Sequence, residues 1–124
     1  MSNDTAGRVR ESAEITGERV AAADGLRKEV LFDGTTGADD VALRRFTLAA
    51  DGEVPRHTND VEHVQYVVSG EYVVGLGDTE HTVQAGDAIH VPAGAVHWYR
   101  NDGDETGVFL CAVPTGDDDI RLVE

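Results

Sequence analysis

The sequence predicts a small all-β protein, a sandwich or a barrel. Short runs rich in β-branched and aromatic residues recur at near-regular spacing along the chain. Clusters of Gly and Asp, which favour tight turns, separate them. No stretch carries the apolar period of a long amphipathic helix. With 124 residues, no linker and no internal repeat, a single domain is expected, long enough to bury a core without staples.

Residues 1–24 are polar and charged, with Val9 and Ile15 as isolated apolar positions. They are expected to form an N-terminal arm, partly disordered or pairing with a second copy of the chain. Residues 20–23 could make one helical turn, which Gly25 stops. Residues 25–124 are expected to form the barrel. Within it the strands read as 28–32, 41–48, 63–68, 71–76, 81–84, 88–91, 96–100, 108–113 and 120–123. Residues 33–40 are a Gly- and Asp-rich loop, Asp51-Gly52 a turn, and 56–59 an extended segment after Pro55. Ser69-Gly70 and Gly77-Asp78 are tight turns. His81 falls on a hairpin edge and reads as a surface residue.

Charge excludes some partners. The net charge is −14, from 24 acidic and 10 basic residues, and Lys28 is the single lysine. A phosphate backbone needs a basic footprint, so no nucleic acid is expected, and an anionic membrane surface is disfavoured in the same way. Acid-rich, lysine-poor surfaces are similar to those of proteins from salt-loving organisms, where self-repulsion is screened over about 3 Å at 1 M salt. The runs 102–105 and 117–119 read as solvated loop faces. No apolar run reaches the roughly 18 residues of a membrane span, and the N-terminus carries no apolar stretch of a signal peptide, so a cytoplasmic protein is expected. The lone Cys111 lies in the apolar run 108–113 and reads first as a small buried hydrophobe, with a pocket-lining thiol as the other reading.

Three histidines carry the chemistry. His57 and His63 lie six positions apart, with equal parity on an extended chain, so both can face one side of a sheet. His97 arrives from a later strand. Three convergent imidazoles make a metal site with positions left open for substrate or water. Parity from His63 places Gln65 and Val67 on the same side and sends Glu62, Val64 and Tyr66 away, so Glu62 is the weaker rival ligand. An interior amide such as Gln65 must be hydrogen-bonded, either to a substrate or water or to the backbone. Tyr99 shares parity with His97. His90, of one parity with Ala88, is a candidate acid/base group beside the metal, or a satisfied core or interface residue. Arg44 and Arg45 cannot both face inward; one of them could pin an anionic substrate. Trp98 and Tyr66 point away from the ligands, as packing between sheets or subunits.

Two motifs add a resemblance. Residues 86–101 match G-x5-P-x-G-x2-H-x3-N at every fixed position, with Gly86, Pro92, Gly94, His97 and Asn101. Residues 57–70 match H-x-H-x3-E-x6-G with two departures: Asn59 stands at the second histidine and His63 at the glutamate. The initial glycine is also offset by one, at Gly52. The chain resembles the cupin superfamily, and in particular the small single-domain cupins that hold manganese through four histidines. The resemblance spans about residues 25–114, including 25–31, 44–47 and 109–111. It implies a jelly-roll, double-stranded β-helix barrel. It implies a divalent transition metal, Mn or Fe first, with Zn, Ni or Cu as alternatives, held by His57, His63 and His97. Asn59 could ligate weakly, bind through water, or leave the site three-coordinate in protein. A cupin whose histidines merely fill the barrel is the plain alternative.

The first functional expectation is a metal-dependent oxidoreductase of dioxygenase type acting on a small organic molecule. The others are a non-redox isomerase or lyase, with the metal as Lewis acid and His90 or Tyr99 moving protons, and a non-catalytic ligand-binding or sensing module. A homodimer is expected through the exposed N-terminal strand.

Overall fold

The computed structural model describes residues 6–123. The spine is a 19-residue strand, β3 (Val41–Asn59), on which the other elements assemble. Before it come β1 (Gly17–Arg19) and β2 (Asp24–Phe32). After it come β4 (His63–Ser69), β5 (Glu71–Leu76), β6 (Thr79–Gln84), β7 (Ala88–Val91), β8 (His97–Arg100), β9 (Gly107–Pro114) and β10 (Ile120–Leu122). One curled sheet runs β6-β5-β8-β3-β9-β4-β7, with β2 and β10 also paired to β3. Every pairing is antiparallel.

β3 serves two neighbourhoods because it bends. Residues 41–48 pair with β9 and β2, and residues 53–59 pair with β8 and β10. The turn expected at Asp51-Gly52 is a bend inside this strand. Asp51 takes φ 63°, a conformation that Asp tolerates better than most residues. The bend is held by reciprocal bonds, Asp51 N–H to Asn101 O and Asn101 N–H to Gly52 O, each 3.0 Å. The Asn101 side chain, fully buried, donates to Leu48 O at 3.2 Å and Glu105 O at 2.8 Å and accepts from Gly103 N–H at 3.0 Å. The motif asparagine is thus a clasp between loops.

Two other expectations shift. β2 starts earlier than residue 28, because Gly25, at φ 74°, sits in a bulge rather than ending the segment, and Leu26 packs inward. The described part of the arm lies on its own chain. β1 pairs with β2, Arg10 donates to Val30 O and Leu31 O at 2.9 and 2.7 Å, and residues 20–23 form a turn closed by Ala23 N–H on Val20 O. β1 thereby covers the outer edge of β2 and itself becomes the edge strand, paired on one side among the described residues. The first residues of the arm lie outside the described residues.

The core gathers Leu26, Leu48, Val54, Val67, Tyr72, Val74, Val83, Ile89, Val91, Tyr99 and Phe109. Alternation along β4 is strict: His63, Gln65 and Val67 are buried, while Val64, Tyr66 and Val68 are exposed. Among the described residues no helix is long and apolar enough to cross a membrane.

Candidate functional site

Register builds the site. Residues directly opposed on antiparallel strands share a face of the sheet. His57 on β3 opposes His97 on β8, and His63 on β4 opposes Val91 on β7. Arg44, Cys111 and Gln65 form one row across β3, β9 and β4, with Phe46, Phe109 and Val67 as the next row. The turn after β7 is pressed against the first motif by Gly94 N–H donating to Asn59 O at 2.9 Å. Gly94 holds φ 78°, so a side chain there would be strained.

The three imidazoles come together inside the barrel. Ring centroids are 4.0 Å apart for His57 and His97, and 6.2 Å for His63 and His97. His57 Nδ1–H donates to Pro55 O at 2.8 Å and His97 Nδ1–H to Ala95 O at 3.0 Å. A carbonyl only accepts, so both rings carry their proton on Nδ1 and leave Nε2 with a free lone pair. Burial keeps all three rings neutral by lowering their pKa values, that of His97 to about 4. Asn59 is also buried, and its Oδ1 has no hydrogen-bond partner.

His63 differs. Its Nε2 lies 2.9 Å from Asp118 Oδ2, and its Nδ1 lies 3.4 Å from the Cys111 thiol. A carboxylate only accepts, so here His63 carries its proton on Nε2. With His63 turned to Asp118, no three His, Cys, Asp or Glu side chains among the described residues stand as a closed ligand set. Chemically the donors still suit a divalent transition metal. They are two Nε2 lone pairs, a third imidazole that Asp118 must release, and an orphaned amide oxygen.

The surrounding cavity measures about 130 Å³, and Lys28, Arg44, Gln65, Tyr99 and Asp118 join the donors in its lining with an apolar wall that includes Val54 and Phe109. Gln65 donates to Tyr99 Oη at 2.8 Å and leaves its Oε1 unpartnered. Burial raises the Tyr99 phenol, which stays protonated and can act as a donor. Arg44 is the inward arginine; Arg45 faces out in a two-pronged pair with Glu29, both contacts 2.9 Å. Cys111 is fully buried behind the lining, its thiol raised by burial.

His90 does not reach the site. It faces outward, 56% exposed, against Glu62 at 2.6 Å. Because His63 opposes Val91, the inward positions of β7 are Ile89 and Val91. The same pair removes Glu62 as a rival ligand. Asp118 is the residue that sequence reasoning missed: its run reads as solvated loop, yet its side chain is only 9% exposed. Lys28 was likewise hidden, noted only as the single lysine. Its period-two spacing from Leu26 would have placed it inward.

This is a curled antiparallel barrel with a polar, histidine-lined pocket inside it. The cupin domain model matches residues 44–113, and the chain belongs to that family. Among solved structures it is similar to the polyketide cyclase RemF from Streptomyces resistomycificus. Identity is 27%, the match covers 96% of this chain and 87% of that one, and the TM-score is 0.87. It is similar in fold to KdgF from Halomonas sp., at 18% identity over 90% of this chain and 97% of that one, TM-score 0.74. The oxalate decarboxylase of Lactobacillus farciminis shares the fold at 20% identity, over 90% of this chain and 34% of that one, TM-score 0.75. No curated protein matches the sequence significantly.

Proposed function

We propose that the protein is a metal-dependent enzyme that enolises a small carbonyl compound, a non-redox reaction of the kind a ketone-cyclising enzyme needs. In it the α-proton lost from the substrate carbon passes to the carboxylate of Asp118, the one anionic group among the described residues lining the cavity. The observation that carries this reading is the convergence of His57, His97, His63 and the orphaned Asn59 Oδ1 on a largely apolar cavity. Those four residues would hold the metal. Bound there, a divalent cation would supply Lewis-acid stabilisation of a developing oxyanion. The donor set is uncharged, so the cation's charge would stay undiminished for that task.

The chain's own residues do the rest. The largely apolar walls lower the local polarity, which strengthens the polar contacts inside. Tyr99, still protonated and oriented by Gln65, donates a hydrogen bond to a substrate oxygen. The cavity of about 130 Å³ admits a group of roughly benzene size, so a longer substrate enters only by its reacting end. Similarity to a polyketide cyclase over nearly the whole chain supports the non-redox choice.

A dioxygenase-type oxidoreductase with Mn or Fe remains the second reading, on the neutral imidazole set alone. Metal analysis of protein purified without added metal comes first. Stoichiometric metal that is lost in a His57→Ala/His97→Ala variant is the expected result; a metal-free wild type sinks both readings. Deuterium uptake at the central carbon of acetylacetone and acetoacetate in D2O is expected above the solvent rate. Oxygen consumption without such uptake would establish the second reading instead.

A further inference from the structure

Arg44 is poorly answered for a buried cation. It is 9% exposed and carries five N–H donors. One reaches the Cys111 thiol at 3.3 Å, Nη1 stands 3.8 Å from Asp118, and Nε has no partner. A buried guanidinium is normally met by a carboxylate in a two-pronged geometry. Asp118 does not provide one. Its Oδ2 is engaged by His63 at 2.9 Å, and its Oδ1 is buried without a partner. Lys28 lines the same cavity, its ammonium pKa lowered by burial and by Arg44. Within the cavity lining two cations thus meet one tethered carboxylate, with Glu18 and Asp33 acting on Lys28 from outside it.

The tether itself is light. Thr115 is anchored by its N–H to Asp40 O and its hydroxyl to Asp39 O, and β10 is paired to β3. Between these anchors, no backbone hydrogen bond holds residues 116–119 to the barrel among the described residues; Asp118 reaches it by its side chain. Gly116, at φ 110°, marks the start of this span.

We propose that the volume Asp118 fills is the subsite for a carboxylate of the ligand, formed by Arg44 and Lys28, with Asp118 as an internal occupant that the ligand displaces. A free carboxylate can take the two-pronged geometry on Arg44 that the tethered one does not. Displacement also releases His63 Nε2. The proposal deepens the reading above by naming the substrate as an acid, but the subsite consists of side chains alone and needs no metal.

Calorimetric titration of the full chain with malonate, as purified and after chelation, tests it, with malonamide as the uncharged counterpart. Malonate is expected to bind in both preparations and malonamide in neither. Asp118→Asn is expected to tighten malonate about tenfold if Asp118 is docked roughly nine-tenths of the time. Asp119→Asn, an equal charge change at an exposed neighbour, is expected to leave it unchanged. Arg44→Met and the less buried Lys28→Met are expected to weaken it, the second guarding against a folding defect in the first. Unchanged or weaker malonate binding in Asp118→Asn overturns the proposal, as does equal tightening in Asp119→Asn or equal binding of malonamide. Binding seen only before chelation assigns the anion to the metal and overturns the subsite while leaving the metal reading intact.

Discussion

His97 is the most constrained of the three histidines: 1% exposed, bonded to Ala95 O and facing two other imidazoles. Its pKa falls from 6.5 to about 4 on folding, chiefly through burial and then through His57. Above pH 6.5 neither state binds its proton and the residue adds no pH dependence. As pH falls from there to about 4 the unfolded chain takes up the proton first, so stability is lost across that window and levels off below it. Urea denaturation of the chelated protein is expected to show this slope. In His97→Gln it is expected to be shallower by about one proton, roughly 1.4 kcal/mol per pH unit. An unchanged slope would place the ring in a hydrated, titratable environment.

Among the strands, β5 and β8 show how closely the barrel walls fit. A Cβ on Gly75 would stand 2.0 Å from Trp98 Cε2, so the indole lies flat on the bare strand, with Arg100 over its outer face at 5.1 Å. Gly75→Ala is expected to cost about 1–3 kcal/mol by overpacking. Trp98, the only tryptophan, reports it directly: its emission is expected to shift red as the ring lifts off the sheet. Unaltered emission and urea midpoint would mean that the strand yields instead.

What could be read in the chain follows the same local logic. The burial of His63 and Gln65 and the exposure of Val64 and Tyr66 on β4 were legible because strand alternation is local. His97 and Asn101 were legible because their motif carries its own turn. His90 was misjudged because facing depends on register with another strand, and Val91, not His90, opposes His63. Asp118 was hidden because its partner His63 lies 55 positions away, and nothing in a triple-Asp loop distinguishes the one that turns inward.

For the molecule as a whole, charge dominates. A net −14 on 124 residues is self-repulsive, and only a few exposed pairs such as Arg100 with Asp102 oppose it. The halophilic origin proposed from composition has a direct consequence. Melting temperature is expected to rise on the order of 5–10 °C between 0.1 and 2 M KCl. A flat or falling curve would argue against it. Self-association is also proposed, and β1, paired only with β2 among the described residues, keeps one edge open for it. The uncharged outer surface at Val64, Tyr66 and Val68 is a second candidate, and the one that a substitution tests. Sizing in molar KCl is expected to show a homodimer that Tyr66→Glu converts to monomer, and a monomeric wild type rules it out.

The cavity is lined from two sources. His57, Asn59, His63, Gln65 and His97 belong to the stretch shared with the family, residues 44–113. Val20, Leu26, Lys28, Asp118 and Ile120 come from the chain on either side of it. Under the proposed reading, the metal-holding residues sit in the shared stretch, while the acid subsite is divided, with Arg44 at the first shared position and Lys28 and Asp118 outside it. Drift in the terminal segments can re-tailor the guest while the shared barrel goes on holding the metal.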